Sequence, residues 1–477
     1  MLTSKVESQS FLFASNINNP DKLFQGYCFI DSDYVFGDVG REKYFNDKGI
    51  DISGGEDGCY ISALKVKEDF YFSSDFSGFK KIFYYWSNKI WVVSNSIYLI
   101  SQHLKESNIP LQVNASQLAS IGVSRDLFCN QLYSTNTFVE GIRLLPLNHT
   151  LKISKSGYSF IEIANDLSFD SYELGLTNFI NIWISRFSSL LRNNINIRAD
   201  LTGGADSRTI FTLLKNAAEY TTNSTGTLGF RTGHTPTNTT DLEIATKVGL
   251  AYGYKVNNEK FPITNIYTSK ESIGIWKVLC LGVYHPIYIP TFGAQPDVVS
   301  IGGASAGNSR VHYKEDSPEA LFNKHLSGLS PKWLSYNALT DCINEFNDIK
   351  ESKSDVDPLI VHYRRYRNRM HAGRTPQYST MFNPFASKFL ENVAEKAGAL
   401  RLSNAQINYD LMSALLPGVL DIPFDLPSKE FNEIRQKNLT KISVPDLFCV
   451  GSVYIEDDIS YGKSDVSESC IYELLNE

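Results

Sequence analysis

Cysteine is scarce in this chain and never paired in sequence. The seven cysteines stand at 28, 59, 129, 280, 342, 449 and 470, with no C-x-x-C among them. That spacing excludes a zinc ribbon and a thioredoxin-type redox motif. The odd count, with no secretory leader at Met1–Ser10, sets the expectation of a reducing cytoplasm. Surplus basic charge is missing too. Lys and Arg number 45 against 52 Asp and Glu, for a net charge of −7, so no general affinity for nucleic acid is expected. No apolar run suits a membrane span. The longest uncharged stretch, Val278–Pro296, carries His285, Pro286, Pro290 and Pro296 and reads as buried core. The eight histidines lack metal-ligand spacing. Internal repeats and low-complexity tracts are absent.

What is there is a globular chain. Aromatic residues make up 13% of it, which excludes disorder. At roughly 100–200 residues per domain, 477 residues predict two or three domains. Up to about residue 165 the pattern is β-rich. Gly26–Ile30, Tyr60–Val66, Phe70–Ser73, Ile82–Trp86 and Ile90–Ser94 read as strands, and Leu151–Ile153 with Tyr158–Ile163 as a hairpin. Character changes near Asp166–Tyr172. Phe179, Ile182, Trp183, Phe187, Leu190 and Leu191 then recur at helical spacing. Strands at Ile197–Thr202, Thr225–Phe230, Tyr254–Val256 and Val298–Ile301 alternate with helices, which predicts a parallel α/β sheet. From about 315 onward the chain reads as helical, and the segment after Asp457 as an acidic tail.

The most informative segment is Leu201-Thr202-Gly203-Gly204-Ala205-Asp206-Ser207-Arg208, between a predicted strand and a predicted helix. Two glycines permit a tight turn and close backbone approach to a ligand. The helix start offers free N–H groups and a dipole that favour an anion. Thr202 and Ser207 add hydroxyls. Asp206 repels a phosphate unless a divalent cation lies between them, and Mg²⁺ is commonly held by a carboxylate plus phosphate oxygens. Arg208 is a further candidate cation. The loop reads as a Mg-pyrophosphate cradle; the plainer reading is a glycine turn capped by Asp206. Two look-alikes fail. Ser53–Gly58 sits in the β-rich half and reads as a hairpin turn. Gly462-Lys463-Ser464 has Asp457 where a P-loop needs its first glycine.

These residues resemble the asparagine synthetase family, with its β-lactam synthetase and lasso-peptide cyclase relatives. Thr202–Ser207 matches the family's S-G-G-x-D-S loop with Thr for Ser, and matches a T-G-G-x-D-S-R form through Arg208. Thr227–Phe230 looks like the second strand, Asp241–Ala245 like the D-x-x-x-A helix start, and Tyr378–Phe389 like the segment ending in R-x-P-F-L-D. In the first half, Asp75–Phe79 followed by Ile82–Tyr85, then Val93–Ser96 and Phe138–Pro146, resemble stretches of the glutaminase domain. The resemblance implies an α/β plus α+β protein. Residues 1–165 would be an N-terminal-nucleophile (Ntn)-type β-sandwich. Residues 166–450 would be a parallel-sheet ATP-pyrophosphatase (HUP-like) domain with a helical C-terminal part, and 451–477 an acidic tail. ATP and Mg²⁺ are the implied cofactors. Thr202, Gly203, Gly204, Asp206 and Ser207 would hold pyrophosphate, Leu228, Gly229 and Phe230 would face adenine, and Asp206 would bind the metal.

Three departures stand out. The glutaminase nucleophile is a cysteine at position 2, where this chain has Leu2, and Cys28 lies inside a predicted strand. The family's G-E-G-x-D-E metal loop corresponds to Ser300–Asn308, which keeps glycines but has no carboxylate; Asn308, Glu315 and Asp316 are the substitutes at hand. The family's late lysine corresponds to Lys437, with Lys429 as the alternative. The basic stretch His362–His371, with Arg374 beyond it, reads either as an oxyanion site or as a solvated helix with paired arginines. His234 and His285 read either as pocket residues or as hydrogen-bonded structural histidines.

The resulting expectation is an ATP-dependent amide-forming ligase without its own glutaminase activity. It would adenylate a small-molecule or peptide carboxylate, release AMP and PPi, and pass the acyl group to an amine, in surface-polysaccharide or natural-product biosynthesis. Lys437 and Arg208 are its candidate catalytic residues. A partner protein or homo-oligomer is also considered. The alternative is a catalytically degenerate homologue that binds nucleotide or a partner enzyme. A third option is other ATP-pyrophosphatase chemistry, such as base or tRNA modification.

Overall fold

Period-two alternation in the first half builds two antiparallel layers. The computed structural model describes residues 5, 8–123, 127–221, 226–233, 239–258, 263–352 and 356–456. The strands, in chain order, are β1 (Leu12–Ala14), β2 (Lys22–Ile30), β3 (Asp33–Phe36), β4 (Asp57–Val66), β5 (Asp69–Ser74), β6 (Phe83–Trp86), β7 (Trp91–Ser94), β8 (Ile142–Leu144), β9 (His149–Ser154), β10 (Gly157–Glu162), β11 (Asn196–Asp200), β12 (Leu228–Arg231), β13 (Val298–Ile301), β14 (Met381–Phe382) and β15 (Val453–Tyr454). One sheet runs β10-β9-β5-β4-β2-β3-β15, another β1-β7-β6-β8. Phe11, Phe13, Ile61, Phe72, Tyr84 and Leu151 fill the space between them. Further along the same face of the larger sheet, Tyr27, Phe29 and Cys59 pack with helix Tyr172–Arg192 through Phe179, Trp183 and Phe187. Arg186 on that helix is 0% exposed and bonds Asp57 Oδ2 at 2.6 Å, and Ser387 Oγ donates to the same oxygen at 2.7 Å. This buried ion pair ties the first sheet to the second half of the chain.

The third sheet is parallel, in the order β12-β11-β13-β14. Ile197 pairs with Leu228 on one side and Val299 on the other. Helices Ala205–Tyr220, Thr239–Ala251 and Tyr172–Arg192 pack around it. The molecule is thus a mixed α/β structure with several sheets.

Several expectations need correction. Tyr254–Val256 makes only an isolated bridge from Val256 to Phe230. Helix Gly37–Lys48 interrupts the β-rich half, so Ser53–Gly58 connects a helix to β4 and is not a hairpin turn. Val278–Pro296 is not buried throughout: Ile287 is 69% exposed, and Tyr288 and Ile289 also face solvent. Pro286 and Pro290 deny this stretch the N–H groups that a ladder needs. Part of the segment expected as an acidic tail forms β15, parallel to β3; residues 457–477, with Gly462–Ser464, lie outside the described residues. So do Leu2 and His234. Cys28 is fully buried in β2. No helix among the described residues is long and apolar enough to cross a membrane.

Candidate functional site

The site lies at the carboxyl ends of the parallel strands, where ligands of open α/β sheets bind. Thr202–Gly204 leaves β11 and enters helix Ala205–Tyr220, with Gly204 extended at the N-cap. Thr202 N–H donates to Ser207 Oγ at 3.0 Å, and the two hydroxyls lie 3.0 Å apart. Gly203 N–H donates to Asp241 Oδ1 at 2.9 Å, from the first turn of helix Thr239–Ala251. A side chain at Gly203 is impossible here, because a Cβ would stand 2.6 Å from Asp425 Cβ. Asp425 in turn accepts from Lys429 Nζ at 2.6 Å. Lys429 also reaches the loop: a Cβ on Gly204 would meet its Nζ at 3.6 Å.

The loop after β13 closes over the same helix start. A Cβ on Gly303 would meet Asp206 Cβ and Ser207 N at 3.2 Å. This loop brings no carboxylate to Asp206. Instead Arg310 grips Asp206 with two parallel bonds, Nη1 to Oδ1 at 3.0 Å and Nη2 to Oδ2 at 2.9 Å. Asn408 Nδ2 adds a third, to Oδ1 at 2.7 Å. Both carboxylate oxygens are therefore engaged by donors. Asn308 points elsewhere, its amide donating to Phe385 O at 3.1 Å. Glu315 pairs with Lys324 at 2.6 Å, and Asp316 is exposed. No group of three or more His, Cys, Asp or Glu among the described residues could hold a metal ion. The residues present do not fit Mg²⁺ at Asp206, because a guanidinium and an amide already take the positions that a cation needs.

Arg208 departs from its expected role. Two residues along a helix is about 200° of rotation, so positions 206 and 208 face opposite sides. Arg208 points inward, is 0% exposed, and donates to the carbonyls of Val419, Ile422 and Pro423 at 3.1, 2.6 and 2.7 Å. Its guanidinium stacks 3.7 Å from the Phe424 ring, and burial pushes its pKa down to about 10. It holds the 417–424 segment and does not reach the loop. Lys437 is exposed on the short helix Glu433–Lys437, and no hydrogen bond or ion pair among the described residues joins it to the loop. Lys429, the alternative to Lys437, is the lysine that stands beside the loop. In β12, Phe230 is core, its ring 4.9 Å from Phe211 and 4.9 Å from Tyr254, while Leu228 and Gly229 are half-buried at the sheet edge.

The basic stretch divides. It runs through a π-helical segment, Tyr363–Asn368, a form that is rare and often functional. Arg364 pairs with Glu391 at 3.1 Å, Arg365 with Glu345 at 2.9 Å, and Arg369 donates to Leu145 O at 2.9 Å. These three are structural. Among the described residues Arg367 bonds neutral groups, Gln131 Oε1 at 3.1 Å and Tyr284 OH at 3.3 Å, and Arg374 stacks on Tyr288 at 4.0 Å. Burial, then Arg310 and Arg367, push His312 down to about 4. His371 bonds Tyr284 OH at 2.6 Å and falls to about 3, through burial, then Arg367 and Arg374. The histidines are neutral here and the arginines carry the charge. His285 donates its main-chain N–H to Asn130 O at 2.7 Å, and its ring lies close to Gly122.

Sequence reasoning does not single out Arg310, Asn408 or Asp425. Arg310 carried a readable signal: it follows the Gly302-Gly303 pair on the segment aligned with the second metal loop. Asn408 carried none.

No family model matches the chain, and no curated protein does. Among solved structures it is similar to a glutamine phosphoribosylpyrophosphate amidotransferase from B. subtilis complexed with ADP and GMP. The identity is 11%, over 37% of this chain and 32% of that one, with a TM-score of 0.14. It is also similar to an allosteric regulatory enzyme of purine biosynthesis, at 8% identity over 52% of this chain and 41% of that one, again with a TM-score of 0.14. The chain thus spans well under two thirds of either. Likeness at this TM-score carries no argument about fold or activity.

Proposed function

We propose that this chain is a nucleotide-phosphate-binding protein of the asparagine synthetase type that does not perform magnesium-dependent adenylation. In this reading an Ntn-type β-sandwich precedes a HUP-like ATP-binding unit. One observation carries it: Arg310 occupies Asp206 with a bidentate clamp where the family's chemistry needs a metal. A guanidinium has five N–H groups, so three remain for phosphate oxygens after the clamp forms. The first-turn amides of helix Ala205–Tyr220 and the Lys429 ammonium complete an anion-binding surface.

The test is calorimetric titration with ATP in EDTA and in Mg²⁺, alongside a pyrophosphate-release assay. Binding in EDTA with no pyrophosphate formed supports the proposal. Binding that strictly requires Mg²⁺ overturns it.

A second reading, the amide-forming ligase, is favoured by Lys429. It stands beside the loop, where a cation would steady charge building up on a transferring group. AMP release with a carboxylate and an amine, abolished by Lys429→Ala and untouched by Lys437→Ala, supports that reading over the first.

A further inference from the structure

One cavity shares no lining residue with the phosphate loop. It encloses about 320 Å³ between the seven-stranded sheet and the segments that carry Asn265 and Gln377. That volume sits at the small end of the range for small-molecule pockets, about 300–1,000 Å³. Tyr27 and Phe36 supply apolar surface. The polar groups are what set it apart.

Lys80 lines the cavity and is 2% exposed. Its ammonium donates to Gln9 O at 3.1 Å, one acceptor for three N–H groups. Gln377 is 3% exposed, and neither its oxygen nor its nitrogen has a partner among the described residues. The side-chain oxygens of Gln25 and Asn265 are likewise buried and unpartnered. Their orientations are fixed, because Gln25 Nε2 donates to Ser8 O at 2.6 Å and Asn265 Nδ2 to Ala294 O at 2.9 Å. Four buried polar atoms on residues lining one cavity, without partners among the described residues, are rare in native proteins and call for a ligand or ordered water.

The charge pattern selects the ligand. Asp38 lines the cavity and Asp75 lies near enough to act on the ammonium, but among the described residues neither carboxylate bonds it. Asp75 spends its oxygens on the main-chain N–H groups of Phe79 and Lys80, at 2.8 and 2.9 Å. Asp38 stands at the rim, 59% exposed and turned to Arg41. Cys59 is buried and its thiol is pushed up out of reach of ionisation. Burial lowers Lys80 to about 8, which leaves it largely protonated at neutral pH.

We propose that this cavity binds a small monocarboxylate, its anion on Lys80 and its N–H or O–H groups on the oxygens of Gln25, Asn265 and Gln377. This site is independent of the phosphate-loop reading and stands or falls separately from it.

The test is ligand-observed saturation-transfer NMR on the full chain, with lactate, 3-hydroxybutyrate, salicylate and mandelate as probes, each beside its primary amide. At least one acid is expected to bind ten times more tightly than its amide. Lys80→Met should reduce that acid to the level of its amide, Lys80→Arg should retain the preference, and Gln377→Leu should weaken both forms. Equal binding of acid and amide, or the absence of Lys80-dependent binding across all four acids, overturns the proposal. If Lys80→Met fails to fold, the contrast between acid and amide on the wild-type chain decides by itself.

Discussion

Replacing Arg310 with methionine separates the two functional readings. The substitution keeps an aliphatic stem and removes the guanidinium that spans Asp206. The two side chains are 27% and 28% exposed, so water screens part of the interaction. Charge-assisted hydrogen bonds contribute about 1.5–3 kcal/mol when well shielded, and exposed ion pairs about 0.2–1 kcal/mol. A loss of about 1–2 kcal/mol in folding stability is expected, with Asn408 still satisfying one oxygen of Asp206. The nucleotide effect is larger. A unit charge about 4 Å from a phosphate contributes roughly 4 kcal/mol at an effective dielectric constant of 20. After desolvation, roughly half of that is expected to survive, a 10- to 100-fold weaker ATP affinity in EDTA. The exposed Asp206 carboxylate then becomes available to a cation, so Mg²⁺ should restore part of the affinity in the variant and leave the wild type unchanged. Calorimetry of both proteins, with and without Mg²⁺, reads all four values. Unaltered ATP affinity of the variant in EDTA would refute the reasoning, since Arg310 would then have no part in holding phosphate.

Three further outcomes are expected. Asp241→Asn removes a negative charge from the Gly203 N–H, where a phosphate oxygen would otherwise bind, and should tighten ATP binding in EDTA about tenfold; weaker binding would favour the ligase reading. Arg208→Met removes the donor to three carbonyls, that of Val419 buried and those of Ile422 and Pro423 partly so, and should cost about 2–3 kcal/mol in urea unfolding, with ATP affinity in the folded fraction unchanged. His362 is fully buried, bonded to Tyr133 O and lowered to about 4 by burial, so the unfolded chain takes up its proton first as pH falls. Its contribution is complete above about pH 6.5 and is lost progressively down to about pH 4, roughly 3 kcal/mol in all. His362→Gln should flatten the fall in stability over that window by about one proton, and an unchanged slope would refute the assignment.

The two halves of the molecule were legible to different degrees. The hairpin of β9 and β10 and the pairing of β6 with β7 follow from alternation and short turns, which are local signals. The glycine pair at 203–204 announced a strand-to-helix turn for the same reason. Helix Gly37–Lys48 did not announce itself, because it buries few side chains and carries a weak apolar stripe. The content of the site was least legible. Arg310 and Asp206 stand 104 residues apart, and Asn408 lies 202 residues from Asp206. No periodicity links such positions; only the meeting of loops after β11 and β13 does. Arg208 stands two residues from Asp206 in sequence, yet helical rotation turns it away from Asp206 toward Phe424, which sequence adjacency does not show.

The pairing of β15 with β3 has a consequence for how the chain is made. Tyr34 N–H bonds Ser452 O at 2.9 Å, and Gly40 packs directly on the Tyr454 carbonyl. A ribosome releases β3 more than 400 residues before it releases Val453. At about 5–20 residues per second, that leaves the edge of the first sheet uncovered for roughly 20–80 s. During that interval β3 is an open strand edge in a crowded cell, able to pair with a neighbouring nascent chain. The last strand among the described residues is therefore the one that covers an edge of the sheet built from the first half of the chain, and translation speed sets how long that edge is exposed to mispairing.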